Sequence, residues 1–168
     1  LERLAEETVE NLRRITRALR PIYLEDLGLS TALGMLARET GQMENLKVEF
    51  ILLGEEHRLP HEVELSLYRI AQEALNNVVK HAQAELVILS LSCASLTPDE
   101  DEADQYEITV AIQDDGVGYS SDQRRADQLG IGIMQERAAA IGARLIQESH
   151  PGHGTLITLI WRNQSGNP

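Results

Sequence analysis

The chain is poor in several residue types, and each shortage excludes something. It has one cysteine, Cys93, so no internal disulfide can form, and we expect a reducing, cytoplasmic setting with this thiol as a small buried apolar side chain. Aromatic residues make up 4% of the chain, so the core must be mainly aliphatic. No apolar run approaches the roughly 20 residues that span a bilayer, and no signal peptide is visible. We therefore expect no direct membrane contact by this chain.

Basic residues are also scarce. The 15 Lys and Arg residues stand against 27 Asp and Glu residues, which gives a formal net charge of −12. An acidic surface repels nucleic acid, so we expect no nucleic-acid partner. Much of the acidic excess lies in the run 99–104, which we expect to be a loop. Arg124 and Arg125 lie among the later motifs, where they either close on an anion or remain solvated charges.

The length fits one domain with a short helical appendage. We place the appendage at 1–20, the domain at 21–162 and a polar tail at 163–168. Apolar residues recur at three- and four-residue steps in the appendage and form a narrow seam of coiled-coil type. The seam positions are Leu1, Leu4, Thr8, Leu12, Ile15 and Leu19, of which Thr8 is the one polar interruption. This helix either belongs to a dimerisation bundle or packs on its own domain.

Hydrophobic periodicity predicts helices and strands in the rest of the chain. Helices are expected at 24–40, from Pro60 to His81 and at 130–141, and strands at 46–53, 85–93, 106–113, 144–148 and 155–161. The fold class is α/β (α+β): a two-layer sandwich of a mixed sheet covered on one face by three helices. Neither a full dinucleotide-binding glycine motif nor a Walker pattern is present.

Asp115-Gly116-Val117-Gly118 follows an apolar strand and is the first candidate motif. The two glycines allow the backbone to take positive φ and to lie against a ligand. Asp115 can accept a hydrogen bond from an exocyclic amine, and Gly116 and Gly118 leave room for a flat ring. Acidic glycine-rich turns also occur in ordinary hairpins, so this motif alone does not identify a site.

The helix that ends near His81 carries the second candidate motif. Glu73, Asn77, Lys80 and His81 share one flank, because residues three and four apart are neighbours on a helix. A carboxylate and an amide one turn apart offer oxygen ligands suited to a partly hydrated Mg²⁺. Lys80 adds a point charge for a phosphate. The alternative interpretation of this flank is a solvated polar stripe.

Two further motifs follow in the chain. Gly130 and Gly132 open a helical pattern, and a helix N-terminus with small residues offers backbone N–H groups to an anion. Thr155 comes after a glycine-rich turn, before the last strand, where it can place a hydroxyl group near a bound base. Each motif is modest alone, whereas their order and spacing together are specific.

From about Leu12 to Trp161 the chain resembles the ATP-binding catalytic domain of two-component sensor histidine kinases, in the nitrate-sensor/DesK-like branch of the gyrase, Hsp90, histidine kinase and MutL group. The motifs that carry the resemblance are Leu19-Arg20-Pro21, Leu27-Gly28-Leu29, the Glu73–His81 run, Asp115-Gly116-Val117-Gly118 and Gly130-Ile131-Gly132. The resemblance implies a Bergerat-type ATP-binding fold.

The resemblance also implies roles for these residues with ATP and Mg²⁺ as cofactors. Asn77 would hold the Mg²⁺ that bridges the phosphates, and Glu73 would sit near the γ-phosphate. Asp115 would accept from the adenine amino group, helped by Thr155 through a water, with Gly116 and Gly118 lining the base. Gly130 and Gly132 would end a mobile lid, and Lys80 and His81 would contact phosphates.

The family's phospho-accepting histidine has no match here, because no histidine precedes His57. We therefore expect an excised fragment that binds Mg·ATP without phosphorylating itself. The resemblance implies that the intact protein is a homodimeric histidine kinase, joined through helices missing here, which passes the phosphoryl group to a response-regulator aspartate. The alternatives are an ATP-hydrolysing conformational switch of the Hsp90, MutL or gyrase type, an anti-sigma-factor-type serine kinase, and a non-catalytic binding module.

Overall fold

A computed structural model describes residues 22–44, 46–96, 105–120 and 128–163 of the chain. Several predictions lie outside these residues: the helix at 1–19, the acidic run 99–104, the segment with Arg124 and Arg125, and the tail from residue 164 onwards.

The described residues form three helices and five strands. In chain order they are α1 (Ile22–Glu44), β1 (Lys47–Leu53), α2 (His61–Asn77), β2 (Leu86–Ser95), β3 (Tyr106–Asp114), α3 (Gln128–Ala140), β4 (Arg144–Ser149) and β5 (Thr155–Arg162). The strands make one sheet in the order β1-β2-β3-β5-β4. The β1–β2 pair is parallel and the other pairs are antiparallel, so the predicted mixed sheet is confirmed.

One face of the sheet packs against the helices. Side chains alternate along a strand, and in β2 and β3 every second residue is buried, as at Leu89 and Val110. The largest fully buried side chains are Leu24, Leu29, Leu33, Leu67, Ile70, Leu75, Leu89, Leu91, Ile108, Ile112, Met134 and Leu159. The core is therefore aliphatic, as the shortage of aromatic residues predicts, and the two-layer sandwich is confirmed.

Helix α1 contains a kink at Gly28, whose φ is 83°. The carboxylate of Glu56 accepts hydrogen bonds at this kink from the Ser30 N–H at 2.9 Å and the Ser30 hydroxyl at 2.6 Å. Helix α1 also continues to Glu44, about one turn beyond the predicted end near Gly41. The Glu56 contacts thus fix the start of the regular part of α1 from a distant loop.

Helix α2 does not end in a regular turn. Residues Val78–Ala82 form a π-helical turn, and Gln83 then takes a left-handed conformation with φ of 52°. This turn brings the carbonyl of Ala82 to the glycine-rich loop, where it accepts the Val117 N–H at 2.8 Å. Single π-helical turns often mark functional sites, and the helical periodicity of the sequence contained no signal for this one.

The environment of Cys93 and the polarity of the helices bear on two predictions made from composition. Cys93 is a half-buried free cysteine, less buried than the sequence predicted, and burial raises the pKa of its thiol. Within the described ranges, every helix is too short or too polar to cross a membrane.

Candidate functional site

A cavity of about 420 Å³ lies between the helices and one end of the sheet. Its apolar walls come from both layers: Ala74, Val78, Ala82, Ile112, Val117, Ile131 and Ile157. Its polar side chains are Asn77, His81, Asp114, Tyr119, Gln147 and Thr155. A cavity of this size with apolar walls and a few polar groups suits a small ligand with a flat ring.

Asp114 is the buried carboxylic acid of this cavity. It is the last residue of β3 and is 4% exposed, since it continues the inward-facing alternation of Val110 and Ile112. Its carboxylate accepts the N–H of Gly116 at 2.9 Å and the N–H of Thr155. Burial raises the pKa of Asp114, and these two hydrogen bonds partly offset that effect. A carboxylate can accept more than two hydrogen bonds, and Asp114 lines the cavity.

Asp115 lies on a different surface from the one predicted. Its carboxylate is exposed and accepts the N–H groups of Glu85 at 2.9 Å and Leu86 at 3.0 Å. These hydrogen bonds, above all the one from Leu86, lower the pKa of Asp115. Asp115, which the resemblance implies as the residue that contacts the base, therefore lies outside the cavity lining, whereas Asp114 lies within it. The reason is strand alternation, which turns adjacent side chains to opposite faces.

Three glycines around Asp114 allow close backbone contacts. A Cβ atom on Gly116 would lie 2.2 Å from the Ala82 carbonyl oxygen, and one on Gly118 would lie 2.1 Å from that of His150. A Cβ on Gly154 would lie 1.9 Å from the carbonyl oxygen of Asp114. Gly118 lines the cavity, whereas Gly116 is buried against Ala82 of the π-helical turn.

Glu73, Asn77 and Gly130 meet where α3 packs on α2. A Cβ atom at position 130 would lie 2.9 Å from Glu73 Oε1 and 3.7 Å from both Asn77 amide atoms. The Glu73 carboxylate and the Asn77 amide therefore both lie close to the position that this Cβ atom would occupy. Because Gly130 has no side chain, this point is open. Gly130 and Gly132 both lie in the first two turns of α3, in the helix expected from residue 130, and a Cβ on Gly132 would meet nothing within 4 Å.

The remaining predicted residues divide into two groups. His81 and Thr155 line the cavity, and the Thr155 hydroxyl lies 3.0 Å from that of Ser149. Lys80 is exposed and lies outside the lining of the cavity. The structure thus places Asn77, His81, Gly118 and Thr155 at one cavity with Glu73 beside it.

The sequence missed several residues of the cavity besides Asp114. Gln147 and Tyr119 form a hydrogen-bonded pair in its wall, and Ile112 and Ile157 form its sheet-side wall. For Asp114, strand alternation was the available signal, because it follows the buried Val110 and Ile112 at two-residue steps, whereas Gln147 follows only the partly buried Leu145. No such signal marks Tyr119.

The described residues include no cluster of three or more acidic, histidine or cysteine side chains able to hold a metal ion. Mg²⁺ does not need such a cluster, because it is often bound through one or two protein groups, waters and the phosphates of its ligand. The donors that fit are the Asn77 amide oxygen and the Glu73 carboxylate, since both surround the same open point.

The sequence model of the histidine kinase-, DNA gyrase B- and HSP90-like ATPases matches residues 62–165. This match covers α2, the cavity and the last strand, which are the parts that build the site. The chain belongs to this ATPase family.

Relatives within the family include the signal transduction histidine-protein kinase/phosphatase DegS of Brevibacillus brevis, which is 30% identical over 159 residues. The match covers 95% of this chain and 39% of DegS, so the chain spans about two fifths of that relative.

Solved structures show the same fold. The histidine kinase domain of the Erythrobacter litoralis EL346 blue-light activated kinase gives a TM-score of 0.59 at 20% identity, with 79% of this chain and 59% of that one covered. Full-length ShkA in complex with AMPPNP gives a TM-score of 0.55 at 18% identity and covers 79% of this chain and 29% of that one.

Proposed function

We propose that this chain is the ATP-binding catalytic part of a sensor histidine kinase. The observation that carries the proposal is the buried Asp114 carboxylate at the end of an apolar cavity, next to a glycine-rich loop and a helix that presents Asn77. The family of the chain and its likeness to DegS support a histidine kinase over the other ATPases of the family. A neighbour by fold, ShkA, has been solved with AMPPNP.

The base would occupy the apolar part of the cavity. Asp114 would accept a hydrogen bond from the exocyclic amine of adenine, because its carboxylate is held by Gly116 and Thr155 with acceptor capacity left over. Gly118 would lie against the ring, and the Thr155 hydroxyl would bind the same edge through a water. A carboxylate in this position favours adenine, since guanine places a carbonyl oxygen where adenine has its amine.

The phosphates would lie towards the C-terminal end of α2. Asn77 would hold Mg²⁺ together with the phosphate oxygens, and when bound this ion would supply charge neutralisation. Glu73 would position the attacking group beside the γ-phosphate, from the point that Gly130 leaves open. His81 would contact a phosphate from the cavity wall, and Lys80 would contribute its charge from the surface. Gly132 would end a lid over the phosphates.

Catalysis would rest mainly on positioning and on neutralising charge, as is general in phosphoryl transfer. The acceptor would be a histidine of a dimerisation helix in the intact protein, and the phosphoryl group would then pass to an aspartate of a response regulator. Because the chain covers 39% of DegS, these partners, the homodimer and a cytoplasmic location belong to the proposal for the whole protein.

The direct test is calorimetric titration with a non-hydrolysable ATP analogue, with and without Mg²⁺, and with the matching GTP analogue. We expect micromolar binding of the ATP analogue that Mg²⁺ strengthens, and much weaker binding of the GTP analogue. Asn77→Ala should remove the effect of Mg²⁺. Asn76→Ala, the same change at the next residue of α2 outside the cavity lining, should leave it unchanged. A folded chain that binds neither nucleotide would contradict the proposal.

A further inference from the structure

The cavity contains a polar pair to which the proposed function gives no role. The Nε2 atom of Gln147 donates a hydrogen bond to the phenolic oxygen of Tyr119, and both side chains line the cavity. Asp114 and Thr155 lie at another part of the same wall. A ligand that fills this cavity must therefore either pair with this second polar group or cover it.

The sheet register places Gln147 and Asp114 on different strands of the sheet-side wall, with β5 between them. Gln147 on β4 lies opposite Ile157 on β5, and Ile157 lies opposite Ile112 on β3. Since neighbouring strands are about 4.8 Å apart, Gln147 is separated from β3 by roughly 10 Å. Ile112 and Ile157 form the apolar surface between the two polar groups. A flat base that Asp114 holds by one edge therefore extends over these isoleucines towards β4.

The chemistry of the amide matches such an edge. A glutamine side chain carries two N–H donors and one acceptor oxygen, and Tyr119 engages one of these positions. In either orientation of the amide, Tyr119 engages at most one Nε2–H, so at least one can donate to a ligand in the cavity. Purine ring nitrogens are acceptors. Gln147 is half-buried, and a ligand that fills the cavity would cover its donor; a covered donor without a partner is costly, so a ligand that offers an acceptor here binds better than one that does not.

We infer that Gln147 is a specificity-determining residue of the base site, whose Nε2–H donates to a ring nitrogen on the edge of adenine away from Asp114. Tyr119 is its positioning residue, because the Tyr119 N–H donates to Ser149 Oγ at 3.0 Å and so ties this residue to β4. The inference rests on the proposed function, since it requires adenine in this cavity.

The test uses ADP and two analogues, 7-deaza-ADP and 3-deaza-ADP, each of which replaces one ring nitrogen by a carbon. Calorimetric titration of the unchanged chain should give about 3- to 10-fold weaker binding of one analogue than of ADP, as expected for one lost neutral hydrogen bond. Gln147→Leu should bind ADP more weakly by a similar factor and should no longer distinguish the analogue from ADP. Tyr119→Phe should reduce the discrimination in part.

Gln113→Leu is the matched control, because it makes the same change at an exposed residue of β3 and should keep the full discrimination. Equal affinity of the unchanged chain for all three nucleotides would overturn the inference, as would undiminished discrimination in Gln147→Leu. Either result leaves the proposed function standing, since ADP still binds. Failure of the folded chain to bind ADP would overturn both.

Discussion

Asp114 and Asp115 are adjacent in the chain, yet their carboxylates lie on opposite sides of the strand end. Asp114 is buried at the cavity and accepts the Gly116 N–H at 2.9 Å, whereas Asp115 is exposed and accepts the N–H groups of Glu85 and Leu86. Their pKa values move in opposite directions, upward for Asp114 through burial and downward for Asp115 through its hydrogen bonds. One carboxylate is available to a ligand, and the other holds the loop to the start of β2.

The first prediction concerns the stability of Asp114→Asn. Because burial raises the folded-state pKa of Asp114 above its ordinary value of 3.8, the folded chain binds more protons than the unfolded chain between these two values. The contribution of this carboxyl group to the free energy of unfolding therefore falls as the pH rises from 3.8 through the raised pKa. Asparagine keeps an acceptor oxygen without the charge, so the variant should be more stable than the parent at pH 7.

Urea unfolding at pH 7 and at pH 3.5 checks this prediction. The stability advantage of Asp114→Asn should shrink at the lower pH, while its affinity for the ATP analogue at pH 7 should fall about 10-fold because a charged acceptor is replaced by a neutral one. A variant that is less stable than the parent at pH 7 would show that the charged carboxylate stabilises the fold.

The second prediction concerns Gly130→Ala. Alanine within α3 should raise the free energy of unfolding by about 0.5–1 kcal/mol, since glycine is a poor helix former. The new methyl group would lie 2.9 Å from Glu73 Oε1, so the flexible Glu73 side chain must move away from the point it shares with Asn77. We therefore expect a more stable chain with weaker Mg²⁺-dependent binding of the ATP analogue, measured by unfolding and titration.

Gly132→Ala is the control for the unfolding measurement, because it lies in the same helix and its methyl group would meet nothing within 4 Å. Both variants should gain similar stability. If Gly130→Ala left the Mg²⁺-dependent binding unchanged, the open point between Glu73 and Asn77 would have no part in binding.

The third prediction compares Gly154→Ala with Gly152→Ala. Both glycines have positive φ, 72° and 79°, so alanine at either position is strained by about 1–2 kcal/mol. At Gly154 the methyl group would also lie 1.9 Å from the carbonyl oxygen of Asp114, whereas at Gly152 it would meet nothing within 4 Å. Thermal unfolding should therefore show the greater loss in Gly154→Ala, and this variant alone should also bind nucleotide poorly. Equal losses would contradict the close contact.

The fourth prediction concerns the start of helix α1. Glu56→Ala removes both hydrogen bonds to Ser30, one of which satisfies a backbone N–H at the kink, and should cost about 1–2 kcal/mol in urea unfolding. Glu55→Ala changes the neighbouring exposed carboxylate and should cost less than about 0.5 kcal/mol. Nucleotide binding should be retained in both variants. Equal stability of the two would show that Glu56 does not hold α1.

Most of the fold could be predicted from the sequence because its signals are local. Alternation in β2 and β3 and three- and four-residue periodicity in α2 reflect burial on one face, and the structure confirms these elements within one or two residues at most ends. The π-helical turn at Val78–Ala82 could not be predicted, since it depends on the contact between the Ala82 carbonyl and the Val117 N–H from a distant loop.

The site was predicted less completely than the fold. Asn77, His81, Gly118 and Thr155 of the predicted motifs line the cavity, but the choice between Asp114 and Asp115 depended on where β3 ends. The predicted strand ends at Gln113, one residue short of the alternation that turns Asp114 inward. Tyr119 and Gln147 are brought together only by the packing of the loop on β4, which no spacing in the sequence records.

The most direct test of the account is titration of the ATP analogue with Mg²⁺ into three proteins: the unchanged chain, Asp114→Ala and Asp115→Ala. Both variants lose a carboxylate, at adjacent residues. They differ in whether that carboxylate lines the cavity, as at Asp114, or lies outside it, as at Asp115. We predict that Asp114→Ala loses binding by at least about 10-fold and that Asp115→Ala, although less stable, binds within a few fold of the parent. Loss of binding in Asp115→Ala with retention in Asp114→Ala, both variants being folded, would contradict the central claim that Asp114 is the base-recognising residue.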